Sequence, residues 1–433
     1  MNERNKEENS KLRRIRKEKK MDKSRKGFYR LLIFSGIFLF SLGVSDPSSL
    51  MAASLKTAKV GFLHDLTGPY AVYGVPMRDA MNWALEEINK KGFEVAGQKY
   101  KLEVLTYDSA SKPEVEGPGM VKKALYSDKV PLIFLGGTPI TRVAAGPIEN
   151  SKTPAIIILA ATLGITEKNP HIFRIRPDAS QCAPPLADFF MKGLKTKKLA
   201  VVGADTDFAR DCFKMWKLVS EKAGGTIVSE NWYIPGQVQD FYPLLSKVKD
   251  SGADAVYVAG STQHNGLVYK QAFEVGLKKP LGGYTGMTPE QAKDLIGDNY
   301  NLAMANVYES RGVDPNVLPT KAAQEWYQGF KKRYGYFPAD LTMWAWDAAF
   351  MVVKAFQTAG SVTDKEKIRS ALEKTPILDS YVTPYVDLGG GRIFDKNRQA
   401  YSLAVVLKWK DKGWTTEKYY SVIGGEIKEV KGQ

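Results

Sequence analysis

Small, hydroxylated and aromatic side chains gather in this sequence where predicted strands end and loops begin. Backbone N–H groups at the start of a helix, with hydroxyl groups beside them, suit an anion such as a carboxylate. In open α/β sheets, ligands collect beyond the carboxyl ends of the strands. A single Thr or Ser can instead cap a helix, but their accumulation at strand ends favours a ligand-binding cleft. The candidate ligand-binding residues are Tyr73, Thr138, Thr141, Ala160, Thr162, Phe208, Ser261, Tyr284, Thr285 and Trp344.

The sequence carries none of the common motifs for catalysis or nucleotide binding. It has no GxxxxGK loop, no GxGxxG after a strand, no GxSxG turn and no HExxH pair. His64, His171 and His264 share no metal-ligand spacing, and two Cys cannot build a multi-cysteine metal centre. We therefore expect a protein that is not an enzyme, with no cofactor and no metal, whose His residues lie on the surface or in the core.

Composition places the chain among ordinary globular proteins. It has 433 residues, of which 44% are hydrophobic and 25% are charged, and this predicts two or three domains. The formal net charge is +15, but beyond the N-terminal stretch basic and acidic residues alternate. Because no basic stripe is present, we expect no nucleic-acid partner.

The first 53 residues are typical of an export signal. The segment LLIFSGIFLFSLGV, residues 31–44, is fourteen residues without a charge, whereas a helix that spans a bilayer needs about 20. A basic stretch precedes it and the small residues Ala52, Ala53 and Ser54 follow it, which is the order of a secretory signal peptide. The basic stretch has normal length if translation starts at Met21. The alternative is an uncleaved membrane anchor. In either case the remainder is expected in the periplasm.

Strand and helix patterns alternate twice along the mature chain. Apolar runs such as PLIFLG and PAIIIL predict parallel strands covered on both faces, and residues 78–91 have the apolar spacing of a helix. The pattern restarts near residue 199, and residues 401–410 and 418–423 alternate as antiparallel strands. We expect an α/β protein of two doubly wound lobes.

Six segments in order give the chain a resemblance to a known family. It resembles the type I periplasmic binding proteins of the branched-chain amino acid group, the solute receptors of ABC importers. The segments that carry the resemblance are VGFLHDLTGPYAVYG, ALEEINKKGFEVAGQKYKLEVLTYD, DKVPLIFLGG, IFRIRPDASQ, VGADTDFARD and ADAVYVAG.

The resemblance implies two lobes joined by three hinge crossings, with the ligand held between them. We place the crossings near residues 174–177, 307–313 and 382–390. Lobe 1 would then comprise residues 54–174 plus 313–382, and lobe 2 residues 177–307 plus 388–433. The implied partners are a small-molecule ligand and the ABC permease subunits in the membrane, and the expected oligomeric state is a monomer.

The resemblance also assigns roles to individual residues. Tyr73 would stand at the cleft rim, and Thr141 would bind the ligand carboxylate where relatives more often have Ser. Ala160 and Thr162 belong to a matching Ala-Ala-Thr segment, and Phe208 replaces a Tyr that is common in lobe 2.

One position departs from the amino-acid binders, which often hold the ligand ammonium with an acidic residue. Thr285 occupies that place here. The departure favours a small carboxylate with an apolar or aromatic body. The alternatives are a branched-chain or other hydrophobic amino acid as ligand, and a membrane-anchored sensor of the same fold.

The two Cys lie near the beginnings of predicted helices that flank the strand at residues 199–203. Cys182 and Cys212 would enclose a loop of about 30 residues, and the oxidising periplasm permits a disulfide. Pairing also requires a Cα separation below about 7 Å. The sequence leaves open whether they pair.

Export makes a first prediction. Protein isolated from the cell envelope should begin within a few residues of Ser54, because the small residues after the apolar segment suit signal peptidase. N-terminal sequencing checks this, and an N-terminus at Met1 or Met21 would contradict it.

Overall fold

The computed structural model describes residues 55–314, 318 and 320–431. The predicted signal peptide, residues 1–53, lies outside this part of the chain. Among the described residues, no helix combines the length and the apolar character that a membrane span requires.

The described residues form fourteen strands and thirteen helices. The strands are β1 Lys56–His64, β2 Phe93–Val95, β3 Gln98–Asp108, β4 Ile133–Leu135, β5 Ala155–Ile157, β6 Ile172–Arg174, β7 Lys198–Ala204, β8 Thr226–Tyr233, β9 Ala255–Ala259, β10 Leu281–Gly283, β11 Val307–Arg311, β12 Ala404–Lys410, β13 Gly413–Ile423 and β14 Glu426–Val430. The helices are α1 Ala71–Asn89, α2 Pro113–Lys122, α3 Thr138–Ser151, α4 Ile165–Lys168, α5 Ala179–Asp188, α6 Asp207–Lys222, α7 Tyr242–Asp250, α8 Thr262–Glu274, α9 Pro289–Ile296, α10 Tyr300–Met304, α11 Lys321–Tyr334, α12 Leu341–Ala359 and α13 Lys365–Leu372. One π-helical turn extends α2 and another extends α5.

The strands form two sheets, one for each lobe. The first has the order β2-β3-β1-β4-β5-β6 and is parallel except for β2. The second has the order β14-β13-β12-β11-β10-β9-β7-β8, in which β7 to β11 are parallel and β12 to β14 are antiparallel. The predicted α/β fold with two doubly wound lobes is confirmed. Strands β4, β5 and β9 are buried along their whole length, which explains their continuous apolar sequences.

The chain passes between the lobes three times. The first passage joins β6 to α5, and the second follows β11. The expected third crossing near residues 382–390 is wrong, because Ile393, Phe394 and Ala400 still pack in the core of the first lobe. Arg174 at the end of β6 also pairs in parallel with Gln399. The chain enters the second sheet only at β12.

Helix α1 begins earlier than the apolar spacing predicts. The predicted start near residue 78 marks where the buried face becomes regular, from Met77 onwards. The preceding turn also contains a residue that must be small. A Cβ atom on Gly74 would lie 1.8 Å from the backbone oxygen of Asp65 and 2.6 Å from Nδ1 of His64. Helix α1 therefore packs directly on the chain that leaves β1.

Replacing Gly74 tests this close approach. Gly74→Ala should lower the free energy of unfolding by more than about 3 kcal/mol, because the clash is with backbone that cannot move aside. Gly119→Ala is the matched control, since Gly119 also lies in a helix but a Cβ there meets no atom within 4 Å. The control should gain about 0.5–1 kcal/mol. Urea unfolding measures both, and an equally stable Gly74→Ala would refute the packing argument.

Candidate functional site

A cavity of about 430 Å³ lies between the two lobes. Its wall includes residues that follow strands of both sheets, so the carboxyl ends of the strands face a common space. Six of the predicted residues line it: Tyr73, Thr138, Phe208, Ser261, Tyr284 and Thr285. The structure thus brings predicted residues from both lobes to one cavity. Their contact with a ligand stays a prediction.

Three helices begin at the cavity wall. Gly137 precedes α3, whose first residue is Thr138. Thr206 caps α6 and accepts a hydrogen bond from the N–H of Ala209. Ser261 caps α8, and its hydroxyl lies 2.8 Å from Nδ1 of His264. Because helix N-termini carry partial positive charge, their convergence favours a negatively charged group in the cavity.

The other four predicted residues do not line the cavity. Thr141 is fully buried, on the same face of α3 as Ala144 and Ile148, so the helix turns it into the core. The N–H of Ala160 donates to the backbone oxygen of Gly136. Trp344 is fully buried.

Thr162, the fourth of these residues, takes part in a contact between the lobes. Its hydroxyl donates to the carboxylate of Asp211, which also accepts from the N–H of Leu163 at 2.8 Å. On another side of the cavity, the hydroxyl of Tyr73 accepts from the N–H of Thr262 at 2.9 Å. The lobes thus touch around the cavity, and Tyr73 serves this contact as well as the wall.

Arg142 and Asp207 add an ion pair across the lobes, with 2.7 Å between Nε and the carboxylate oxygen. Both side chains are more than half exposed. Water and salt therefore weaken this pair, and we expect it to contribute no more than about 1 kcal/mol.

A carboxylate lies directly behind Thr285, but it is already occupied. The hydroxyl of Thr285 donates to Glu309, and the other oxygen of Glu309 accepts from Nε of Arg311 at 2.9 Å. Glu309 is fully buried. Burial raises the pKa of Glu309, and Arg311 opposes the rise. The position where amino-acid binders are expected to hold an ammonium is therefore a Thr whose hydroxyl is already bonded to a buried, ion-paired carboxylate.

Four acidic residues outside the list of candidate ligand-binding residues line other parts of the wall. They are Asp65, Glu114, Asp205 and Asp207. Asp205 pairs with Arg210 at 2.8 Å, Asp207 pairs with Arg142, and Asp65 accepts a hydrogen bond from Ser109. Burial raises the pKa of Asp65. Three of the four carboxylates thus already have partners within the protein.

Arg176 is the cation that sequence reasoning missed. It lines the cavity but is only 2% exposed, two residues beyond the end of β6. Its Nη1 donates to the backbone oxygen of Leu159 at 2.5 Å and its Nη2 to the hydroxyl of Tyr284 at 3.1 Å. The segment IFRIRPD could have indicated this residue, because its two arginines stand among apolar residues at the end of a buried strand.

The histidines divide between core and site. His64 is fully buried and its Nδ1 accepts from the N–H of Asp65. Burial lowers the pKa of His64 to about 4, so it is neutral under most conditions. His264, expected on the surface or in the core, instead lines the cavity, and burial lowers its pKa.

The structure shows Cys182 and Cys212 as free, buried thiols. The disulfide that the sequence left open is therefore not formed. The Sγ of Cys182 lies 3.5 Å from Nη2 of Arg176, and burial raises the pKa of this thiol to about 11. It packs beside Arg176, which lines the cavity.

Comparison with known proteins identifies the family. Residues 57–414 match the family described as periplasmic binding protein. The Leu/Ile/Val-binding protein homolog 3 of Brucella melitensis is 26% identical over 340 residues, which are 77% of this chain and 88% of that protein. This chain belongs to the type I periplasmic binding proteins of the branched-chain amino acid family.

Two solved structures show how far the likeness extends. The substrate-binding protein LivJ of Streptococcus pneumoniae, in complex with isoleucine, has a TM-score of 0.73 at 21% identity and covers 87% of this chain and 100% of its own. A solute-binding protein of Rhodopseudomonas palustris, in complex with 3,4-dihydroxybenzoic acid, has a TM-score of 0.70 at 25% identity and covers 86% and 95%. The relatives are solute-binding proteins of ABC transporters, which confirms a binding protein rather than an enzyme.

The two threonines of α3 give this periplasmic binding protein a matched test. Thr138→Val should weaken ligand binding about 10- to 150-fold if its hydroxyl bonds a charged ligand group. Thr141→Val should leave the affinity within about twofold, because that hydroxyl is buried away from the wall and has no hydrogen-bond partner among the described residues. Titration calorimetry with the bound compound measures both. A larger loss of affinity in Thr141→Val than in Thr138→Val would instead assign the carboxylate contact to Thr141.

Proposed function

We propose that this chain captures a small carboxylate with an apolar or aromatic body and delivers it to an ABC permease. Membership of the family already makes the chain a substrate-binding protein of the ABC-transporter type. The proposal of a carboxylate ligand rests on the part of the wall that lies in front of Glu309. There Thr285 lines the cavity with its hydroxyl already bonded to Glu309, while helix starts and aromatic rings make up much of the rest.

The wall at Thr285 supports an acid over a zwitterion. An α-ammonium buried beside Thr285 would lose several kcal/mol of solvation and recover only part of it from hydroxyl groups. The N-termini of α3, α6 and α8 add partial positive charge to the wall instead, which favours an anion in the cavity. Phe208 and Tyr284 offer apolar surface for a ring or an alkyl chain.

Relatives bind both kinds of compound, so the choice rests on this chain's own residues. The Rhodopseudomonas palustris protein holds a hydroxylated benzoic acid, and LivJ holds isoleucine. A cavity of about 430 Å³ accommodates either. Residue 285 favours the acid here, because it is a Thr whose hydroxyl is already bonded to Glu309.

We further propose that the mature chain acts as a monomer in the periplasm and closes by hinge motion. A ligand that touches both lobes shifts the open–closed equilibrium by its differential affinity for the two states. The contacts of Asp211 and Tyr73 across the lobes support such closure. The membrane-anchored sensor remains the alternative if residues 1–53 are retained in the mature protein.

Matched ligand pairs test the substrate class. Phenylpropionate should raise the melting temperature and phenylalanine should not, and 4-methylpentanoate should likewise exceed leucine. An acid present at 100 times its Kd stabilises the folded protein by about 2.7 kcal/mol. A thermal-shift assay measures the difference. Stabilisation by the amino acids alone would show that the ligand is a branched-chain or other hydrophobic amino acid.

A further inference from the structure

We propose that Arg176 is the counter-ion of the ligand carboxylate and determines selectivity for acids over neutral analogues. This inference rests on the proposed function, which it sharpens by placing the ligand charge at the hinge end of the cavity. Comparison of the two buried hinge arginines, Arg174 and Arg176, is the observation that leads to it.

Arg174 has a carboxylate close by, although its Nε and Nη2, like Nε of Arg176, have no hydrogen-bond partner among the described residues. It is fully buried, its Nη1 lies 3.9 Å from a carboxylate oxygen of Asp178, and the same atom donates to the backbone oxygen of Thr162 at 2.8 Å. It does not line the cavity. A buried arginine with a carboxylate nearby is the common arrangement, because an isolated charge is costly to remove from water.

Arg176 lacks such a carboxylate. Among the described residues, no acidic oxygen comes within 4.0 Å of its guanidinium. Two aromatic rings flank it instead, with the guanidinium carbon 5.4 Å from the ring centre of Tyr284 and 5.1 Å from that of Trp344. Cation–π contacts offset part of the desolvation of a guanidinium but do not neutralise its charge.

Its hydrogen-bonding capacity is also incompletely used. A guanidinium has five N–H donors, and the protein uses three, toward Leu159, Tyr284 and Cys182. Nε is buried and has no partner among the described residues. Two of its five N–H donors thus have no partner among the described residues, and the charged side chain lies in the wall of the cavity.

The immediate neighbours of Arg176 also disfavour an amino acid. The atoms that contact the guanidinium are a backbone oxygen, a phenol oxygen, a thiol and two rings. In an amino acid, one carbon separates the α-ammonium from the carboxylate. With the carboxylate at Arg176, the ammonium would lie among these groups, and none of them is an acidic side chain. A simple acid places only its apolar body there. The inferred ligand class is therefore a monocarboxylate whose adjacent atoms are uncharged.

A purely structural role is the competing explanation. Leu159 belongs to the first lobe and Tyr284 to the second, so Arg176 could serve only to clamp the hinge. Such a clamp would affect all ligands equally. A counter-ion affects charged ligands more than neutral ones of the same shape, and this difference separates the two roles.

Acid–amide pairs provide the experiment. Benzoate with benzamide, phenylpropionate with phenylpropanamide, and 4-methylpentanoate with its amide are titrated calorimetrically into the exported wild-type protein, Arg176→Met and Arg174→Met. We expect the wild type to prefer the acid of a bound pair by at least about 10-fold. Arg176→Met should reduce this preference to within about twofold. Arg174→Met, the matched control, should keep it even if both affinities fall.

Each outcome decides between the roles. An acid preference in Arg176→Met equal to that of the wild type overturns the proposal while the proposed function stands. Amino acids that bind the wild type where all three acids fail overturn the proposed function, and this inference with it. If Arg176→Met does not fold, Arg176→Lys replaces it, because an ammonium keeps the charge but loses the planar fork. The acid preference should then fall below that of the wild type but remain above unity.

Discussion

The site depends on a constraint of parallel sheets: every strand that is followed by a helix ends at the same edge of its sheet. In the first lobe this edge carries the chain after β1 and β4, and in the second the chain after β7, β9 and β10. Because the two edges face one another across the cavity, the residues after these strands meet although they are far apart in sequence. The helix starts that follow bring their N–H groups to the same space.

Close packing at this edge limits which residues the loops can contain. Helix α1 approaches the exit of β1 so closely that Gly74 has no room for a side chain. His64 fills the space beneath it as a neutral, buried ring. These contacts fix the backbone near Asp65, and the helix that follows places Tyr73 against Thr262 of the other lobe.

Charge is distributed unequally over the cavity. Asp205 and Asp207 are paired with arginines at exposed positions, where an ion pair has little energetic effect. Glu309 is buried and held by Arg311. Arg176 and Asp65 are the buried charged side chains of the wall, and among the described residues neither forms an ion pair. The proposed preference for an anion rests on Arg176.

The sequence by itself determined the fold and the location of the site, because runs of apolar residues, helical spacing and strand-end loops are local patterns that survive in one dimension. It assigned Thr138, Phe208 and Thr285 to the cavity for that reason. Only the tertiary structure decided which side of a helix faces the cavity, and so separated Thr138 from Thr141. It also decided that residues 388–400 join the first lobe, since a few isolated strand contacts hold them there. The role of Arg176 is likewise tertiary, because whether a buried charge has a partner depends on residues that the chain brings together only by folding.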